Sequence, residues 1–99
     1  MISQKECKGI SKWHLDTPCL VLDQNILEQN IRTMQAHAIS FGKQLRPHAK
    51  THKCSHIAKM QMEAGCLGVC VAKISEAEIL VNNGLPGVLI TSPVVTDHK

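Results

Sequence analysis

Hydrophobic positions along the chain follow two different periods, and the changes of period predict its elements. Apolar runs of strand length lie at residues 19–22, 67–72 and 88–91, and residues 44–49 form a further candidate strand that Pro47 weakens. Between these runs, apolar residues recur every three or four positions, as on one face of a helix. They are Leu27, Ile31, Met34 and Ala38 in the first predicted helix, Ile57, Met60 and Ala64 in the second, and Ile79, Leu80 and Val81 in the third.

Capping signals indicate where the helices begin and end. Asn25 with Glu28, and Ser75 with Glu78, have the spacing of a capping box and predict two helix starts. The second helix is expected to begin near Cys54 or Ser55. A glycine follows each helix at the position of a C-terminal cap: Gly42, Gly65 and Gly84.

The predicted order is β-α-β-α-β-α-β, which indicates an α/β fold with a parallel sheet and right-handed crossovers. The run at 67–72 is of the kind that is buried on both faces of such a sheet. Four strands suit a minimal doubly wound domain or the opening portion of a closed barrel, which needs roughly 250 residues. No helix follows the last strand to cover it, which favours a truncated barrel. Residues 1–14 lack any period and are expected to be a tail, with the partial barrel domain over 15–99.

Composition narrows the possible partners and the compartment. Lys and Arg number 11 against 8 Asp and Glu, giving a net charge of +3, and only Trp13 and Phe41 could stack on a base, so nucleic acid is not expected as a partner. No apolar run approaches the roughly 20 residues of a membrane span. The cysteines are odd in number and are expected to be reduced, mostly core-filling thiols in a cytoplasmic protein. They are Cys7, Cys19, Cys54, Cys66 and Cys70.

The octapeptide Arg-Pro-His-Ala-Lys-Thr-His-Lys at residues 46–53 carries the candidate chemistry. It places Lys50 between His48 and His52 where a predicted strand gives way to a helix. A lysine crowded by other cations loses its proton more readily and becomes a nucleophile. On an extended strand, the three side chains would share one face. The alternative is a solvated basic loop.

Neighbouring groups have less specific interpretations. Arg46 is expected to be a structural or a rim residue, and Lys53 to be a solvated charge. Lys73 is expected to lie on the rim of a barrel site, as a candidate substrate or phosphate contact. Glu76 and Glu78 favour the positive end of a helix dipole and need no catalytic role. A metal site built from His48, His52, Cys54 and His56 matches no structural zinc spacing, although a small metal- or polyanion-binding module stays open as an alternative.

Four sequence blocks together resemble a known family. They are Thr-Pro-Cys-Leu-Val-Leu-Asp at 17–23, the octapeptide, Gly-Val-Cys at 68–70 and Ser-Glu-Ala-Glu at 75–78. In this order they resemble the N-terminal part of the D-threonine aldolase and D-serine dehydratase family, which are pyridoxal-phosphate enzymes built on the alanine racemase-like TIM (β/α)8 barrel. The resemblance implies that Lys50, the lysine directly after Arg-Pro-His-x, carries the cofactor as an internal Schiff base. Cys54 stands where the resemblance leads us to expect serine or threonine.

The same resemblance implies a function for a longer parent protein. It implies a pyridoxal-phosphate lyase acting on β-hydroxy D-amino acids, with Lys50 as the catalytic residue. His48 and His52, which flank Lys50 in the sequence, are expected either to lie beside the cofactor and orient its lysine or to be plain rim residues. A racemase or a cofactor carrier of the same barrel group is the alternative. A divalent metal (zinc, manganese or magnesium) is also implied, with ligands downstream and none in this chain, as is a homodimer. The 99-residue chain alone is expected to be inactive.

Overall fold

Three α-helices and two short parallel strands make up the regular structure of the described residues. The structure, a computed structural model, describes residues 9–97. After a 3-10 turn at Lys12–His14, the elements are α1 (Gln24–Ser40), α2 (Ser55–Glu63), β1 (Val69–Val71), α3 (Ile74–Asn82) and β2 (Val88–Ile90).

The sheet has one full strand pair and one bridged edge. β1 and β2 are parallel, with Cys70 opposite Leu89. On the other side of β1, residues 47–49, here called the edge segment, pair through a single parallel bridge between His48 and Cys70. The spatial order is therefore edge segment, β1, β2, and successive members are connected by a helix, which is the parallel α/β arrangement that the sequence predicts.

Two of the four predicted strands differ from expectation. Residues 19–22 form no strand, and Leu20 and Leu22 are 101% and 68% exposed, because no described strand lies beside this segment to pair with it. The predicted strand at 44–49 is reduced to the bridge at His48, and Pro47, which has no backbone N–H, contributes only its carbonyl. The other two are shorter than predicted, at three residues each.

The core lies on one face of the sheet. The buried cluster draws on the edge segment, α2, α3, β1 and the segment before β2. It consists of Ala49, Ala58, Val69, Val71, Ala77, Leu80 and Leu85. On the opposite face, Cys70 is half-buried and Leu89 is 49% exposed. Burial of the 67–72 run on both faces is therefore wrong for the described chain, because α2 and α3 cover one side only.

The helix starts differ from the predicted capping boxes. α1 is capped by Asp23, whose carboxylate accepts a hydrogen bond from the Ile26 N–H at 3.1 Å, so the predicted box at Asn25 is wrong. At α3, the Glu76 carboxylate accepts from the backbone N–H groups of Ala72 at 2.9 Å and Lys73 at 3.0 Å. The N-cap is Lys73, whose side chain offers no acceptor, so Glu76 supplies the cap alone.

The predicted glycine stops are confirmed. Gly42 has a φ of +65°, and the N–H of the next residue, Lys43, donates to the Ala38 carbonyl at 3.0 Å. This is the hydrogen bond of a Schellman motif, which satisfies a carbonyl that the helix leaves unpaired. α2 and α3 end in the same way, at Gly65 and Gly84.

Glu76 has a titration behaviour that follows from its capping role. Desolvation raises the pKa of Glu76, but the N–H groups of Ala72 and Lys73 and the charges of Lys53 and Lys73 outweigh it and hold the pKa below its usual value of 4.5. A carboxyl group whose pKa is lowered by folding stabilises the fold above its unfolded pKa. This stabilisation is lost as the pH falls through the lowered value.

We therefore expect Glu76→Gln to reduce the protection of the first turn of α3 at about pH 7, and the difference from the unmodified chain to shrink as the pH is lowered below the usual carboxyl value of 4.5. The measurement is amide hydrogen exchange by mass spectrometry, corrected for the intrinsic rate at each pH. Glu78→Gln is the matched control, because it removes the same charge from an exposed position of the same helix. Equal losses for both variants, or a loss that persists at low pH, would contradict the capping role.

Candidate functional site

The candidate functional residues lie at one end of the sheet, where the parallel strands have their carboxyl ends. A turn at residues 49–52 follows the edge segment's bridge, Lys73 follows β1 by two residues, and Thr91 follows β2 directly. In parallel α/β folds this edge is where ligands bind, because the connecting loops there carry variable side chains on a rigid support.

Lys50 lies in that turn and is exposed. Ala49, only 3% exposed, anchors the turn in the core, and its carbonyl accepts a hydrogen bond from the Lys53 N–H at 2.8 Å. The chain therefore leaves the extended conformation directly after His48. The expectation that His48, Lys50 and His52 share one face of a strand is wrong for this reason.

The ring of His48 connects the lysine turn to β2. Its Nδ1 accepts a hydrogen bond from the backbone N–H of Lys50 at 3.2 Å, and its Nε2 lies 3.1 Å from Thr91 Oγ1. The Thr91 hydroxyl in turn donates to the Val71 carbonyl at 3.1 Å. An acceptor at Nδ1 places the ring hydrogen on Nε2, an assignment that follows from the hydrogen-bond pattern. Both ring nitrogens of His48 are thus engaged within the protein.

His52 faces α2. Its Nδ1 accepts from the Cys54 N–H at 3.0 Å, and its Nε2 lies 3.3 Å from Gln61 Oε1. Cys54 is the N-cap of α2 and makes no side-chain capping bond, so the imidazole satisfies a backbone N–H at the start of the helix. The structure gives His52 this structural role, and its contact with a cofactor stays a prediction.

The cations of the octapeptide are divided between the two ends of the sheet. The Arg46 guanidinium donates a hydrogen bond to the Gly87 carbonyl, directly before β2, which confirms the structural role expected of it. Lys53 is exposed, as expected of a solvated charge. Lys53 and Lys73 line a cavity of about 240 Å³ with Glu76, beside the lysine turn.

The described cysteine side chains differ in burial. Cys66 is 7% exposed and its Sγ donates to the Gly68 carbonyl at 3.3 Å. Burial raises the pKa of the Cys66 thiol, against smaller opposing effects of backbone hydrogen bonds and Arg46. Cys66 and Cys70 are among the free cysteines, together with Cys19 and Cys54, whereas Cys7 lies outside the described residues. The predicted core role is confirmed for Cys66 and is wrong for Cys19, which is exposed, while Cys54 and Cys70 are only half-buried.

Residues 9–97 contain neither a candidate metal cluster nor a helix that could span a membrane. Within this range, no group of three or more His, Cys, Asp and Glu side chains is arranged to hold a metal ion. Nor does any helix there have the length and hydrophobicity needed to cross a membrane.

Two residues that contact the site were not identified from sequence. Thr91 lies 43 positions from His48 in the chain, and Gln61 lies nine positions from His52. The only sequence signal for Thr91 is its place at the end of an apolar run, where a strand meets the carboxyl edge. Gln61 carries no comparable signal, because a glutamine within a helix is ordinarily a surface residue.

Known proteins match both the sequence and the fold. A D-threonine aldolase from Arthrobacter sp is 47% identical over 85 residues, covering 86% of this chain and 22% of that protein. A 3-hydroxy-D-aspartate aldolase from Paracoccus denitrificans is 41% identical over 87 residues, again covering 87% of the chain and 22% of the relative. The crystal structure of D-threonine aldolase from Filomicrobium marinum superposes with a TM-score of 0.83 at 50% identity, over 85% of this chain and 23% of that one.

The chain thus spans about a fifth of the length of the relatives that it matches. The model of the family described as alanine racemase, N-terminal domain, matches residues 22–97, which include the edge segment, its lysine turn and both strands. These agreements confirm the family resemblance of the four sequence blocks and the interpretation of the fold as part of a barrel. The chain belongs to the alanine racemase N-terminal domain family.

Proposed function

We propose that this chain is the lysine-bearing portion of a pyridoxal-phosphate-dependent lyase that acts on β-hydroxy D-amino acids. The observation that carries the proposal is the position of Lys50, an exposed amine on the first turn beyond a sheet strand at the carboxyl edge. The names of the three relatives support the substrate class, because each is an aldolase for a D-amino acid that carries a β-hydroxyl group.

The chemistry of the residues present fits such a cofactor. An aldehyde cofactor is held through a primary amine, and Lys50 offers one that is exposed to solvent on a turn fixed by backbone hydrogen bonds. When bound, pyridoxal phosphate supplies an electron sink that stabilises negative charge at the substrate Cα. Lys73, on the same edge, is proposed as a contact for an anionic group of cofactor or substrate.

The proton-transfer role falls to Lys50 rather than to His48. Both nitrogens of His48 are engaged, one as an acceptor from the Lys50 N–H and the other with Thr91. The ring therefore has no free lone pair with which to accept a proton from substrate. The Nζ of Lys50 would hold the cofactor, and as a free amine at this end of the sheet it would be the group that moves a proton at the substrate Cα.

Further properties belong to the parent protein and are proposals here. The family resemblance supports a divalent metal held by residues outside this chain and a homodimeric parent. The free cysteines among the described residues support a reducing, cytoplasmic location. A racemase would share the same lysine, but its products distinguish it from a lyase. Cleavage of D-threonine releases an aldehyde, and dehydration releases ammonia and an oxo acid. Racemisation releases none of these.

The first test concerns the identity of the cofactor lysine. When the full-length parent is loaded with pyridoxal phosphate and reduced with borohydride, we expect peptide mass spectrometry to find the label on Lys50. Lys50→Arg should abolish the label and the cofactor absorbance near 420 nm, because arginine keeps the charge but forms no imine. Lys53→Arg is the matched control and should retain both. Label on Lys53 or Lys73 with Lys50 unmodified would refute the assignment.

The second test concerns the 99-residue chain by itself, which we expect to have no lyase activity. Leu20, Leu89 and Val95 are 101%, 49% and 88% exposed, and each Å² of apolar surface left in water forfeits about 25 cal/mol. We expect the isolated chain to self-associate in size-exclusion chromatography and to produce neither aldehyde nor ammonia from D-threonine or D-serine. A monomer that unfolds cooperatively and turns over either substrate would contradict this expectation.

A further inference from the structure

We propose that Thr91 is a positioning residue for Lys50 and acts through the ring of His48. The inference rests on the proposed function, since it concerns how the cofactor lysine is held. It starts from a chain of three hydrogen bonds that crosses the sheet, from the Lys50 N–H to His48, from His48 to the Thr91 hydroxyl, and from that hydroxyl to the Val71 carbonyl.

The strand register explains why Thr91 is the residue in reach. Ile90 stands opposite Val71, so Thr91 occupies the next level of the sheet. His48 and Leu89 stand on either side of Cys70, and Thr91, two residues after Leu89, belongs to the same face of the sheet as His48. Adjacent strands are about 4.8 Å apart, so about 10 Å separates the edge segment from β2, and the imidazole ring of His48 reaches across β1 to Thr91 Oγ1.

The direction of the hydrogen bonds is set from the Thr91 end. The Val71 carbonyl accepts from both the backbone N–H of Thr91, at 2.9 Å, and its hydroxyl, at 3.1 Å. Because the single hydroxyl hydrogen is used there, Thr91 Oγ1 presents only lone pairs to His48. The ring must therefore carry its hydrogen on Nε2, and this leaves the lone pair of Nδ1 for the Lys50 N–H.

Loss of the Thr91 hydroxyl has a specific consequence. Without this acceptor, only the bond from the Lys50 N–H favours one orientation and one tautomer of the His48 ring, and the ring is a less well-defined partner for that N–H. The turn that carries the lysine then samples more conformations, and ordering them again on cofactor binding costs free energy. His48 is half-buried and Thr91 is exposed. The loss of cofactor-binding free energy is therefore expected to equal that of a single solvent-accessible hydrogen bond.

The experiment compares Thr91→Val, which keeps the shape of the side chain, with Thr91→Ser, which keeps the hydroxyl. In the full-length parent, we expect Thr91→Val to weaken pyridoxal-phosphate binding about two- to tenfold, and Thr91→Ser to restore it to within about twofold of the unmodified protein. Thr33→Val, on the exposed surface of α1, is the matched control for removal of a threonine hydroxyl. Thr91→Ala also removes the hydroxyl but does not put a methyl group in its place, so it serves as a second variant should Thr91→Val fold poorly.

The second readout is the tautomer of His48, measured by ¹⁵N NMR of the imidazole. We expect a single Nε2–H form in the unmodified protein and in Thr91→Ser, and a mixture of tautomers in Thr91→Val. Unchanged cofactor affinity in both Thr91→Val and Thr91→Ala, failure of serine to restore it, or an unchanged tautomer would overturn the proposal. If the unmodified parent forms no link at Lys50, the proposed function fails, and the NMR result still decides whether Thr91 sets the His48 ring.

Discussion

Both backbone groups of Cys70 are committed to the segment that carries the candidate lysine. Its N–H donates to the Pro47 carbonyl and its carbonyl accepts from the Ala49 N–H, each at 2.7 Å. These two bonds are the backbone attachment of the edge segment to β1, and they set the level at which the chain turns. With this pairing in place, Ala49 enters the core and Lys50 begins the turn beyond the sheet edge. The site therefore depends first on strand pairing and only then on side-chain contacts.

The two faces of the sheet have different roles. Val69 and Val71 are fully buried under the helices and supply the packing. The opposite face, which the helices leave open, carries Cys70 of β1 and Leu89 of β2 together with His48 and Thr91. Because successive side chains of a strand alternate between faces, packing and polar contacts can be specified independently in three residues of sequence. This separation explains how a small sheet supports an exposed amine without placing polar groups in its core.

Features of the fold that depend on local signals are predictable from the sequence. Gly42 and its counterparts marked the helix ends because a left-handed cap residue is a local requirement, and the setting of Lys50 was recognisable from its neighbours. The helix starts were less predictable, because Asp23 and Asn25 compete as caps for the same first turn. Contacts between distant parts of the chain, such as Thr91 with His48, depend on the register of the strands, which no short motif encodes.

Gly68 lies immediately before β1, beneath the contact between the Arg46 guanidinium and the Gly87 carbonyl. A Cβ atom at residue 68 would overlap both groups, so any side chain there would clash with the residue that begins the approach to β2. β2 is short and hydrogen-bonded along its length, and it would transmit the displacement to Thr91, about 13 Å away at its other end. An alanine at residue 68 would therefore require the Arg46 guanidinium and the start of β2 to move apart, at the end of the sheet opposite to the lysine turn.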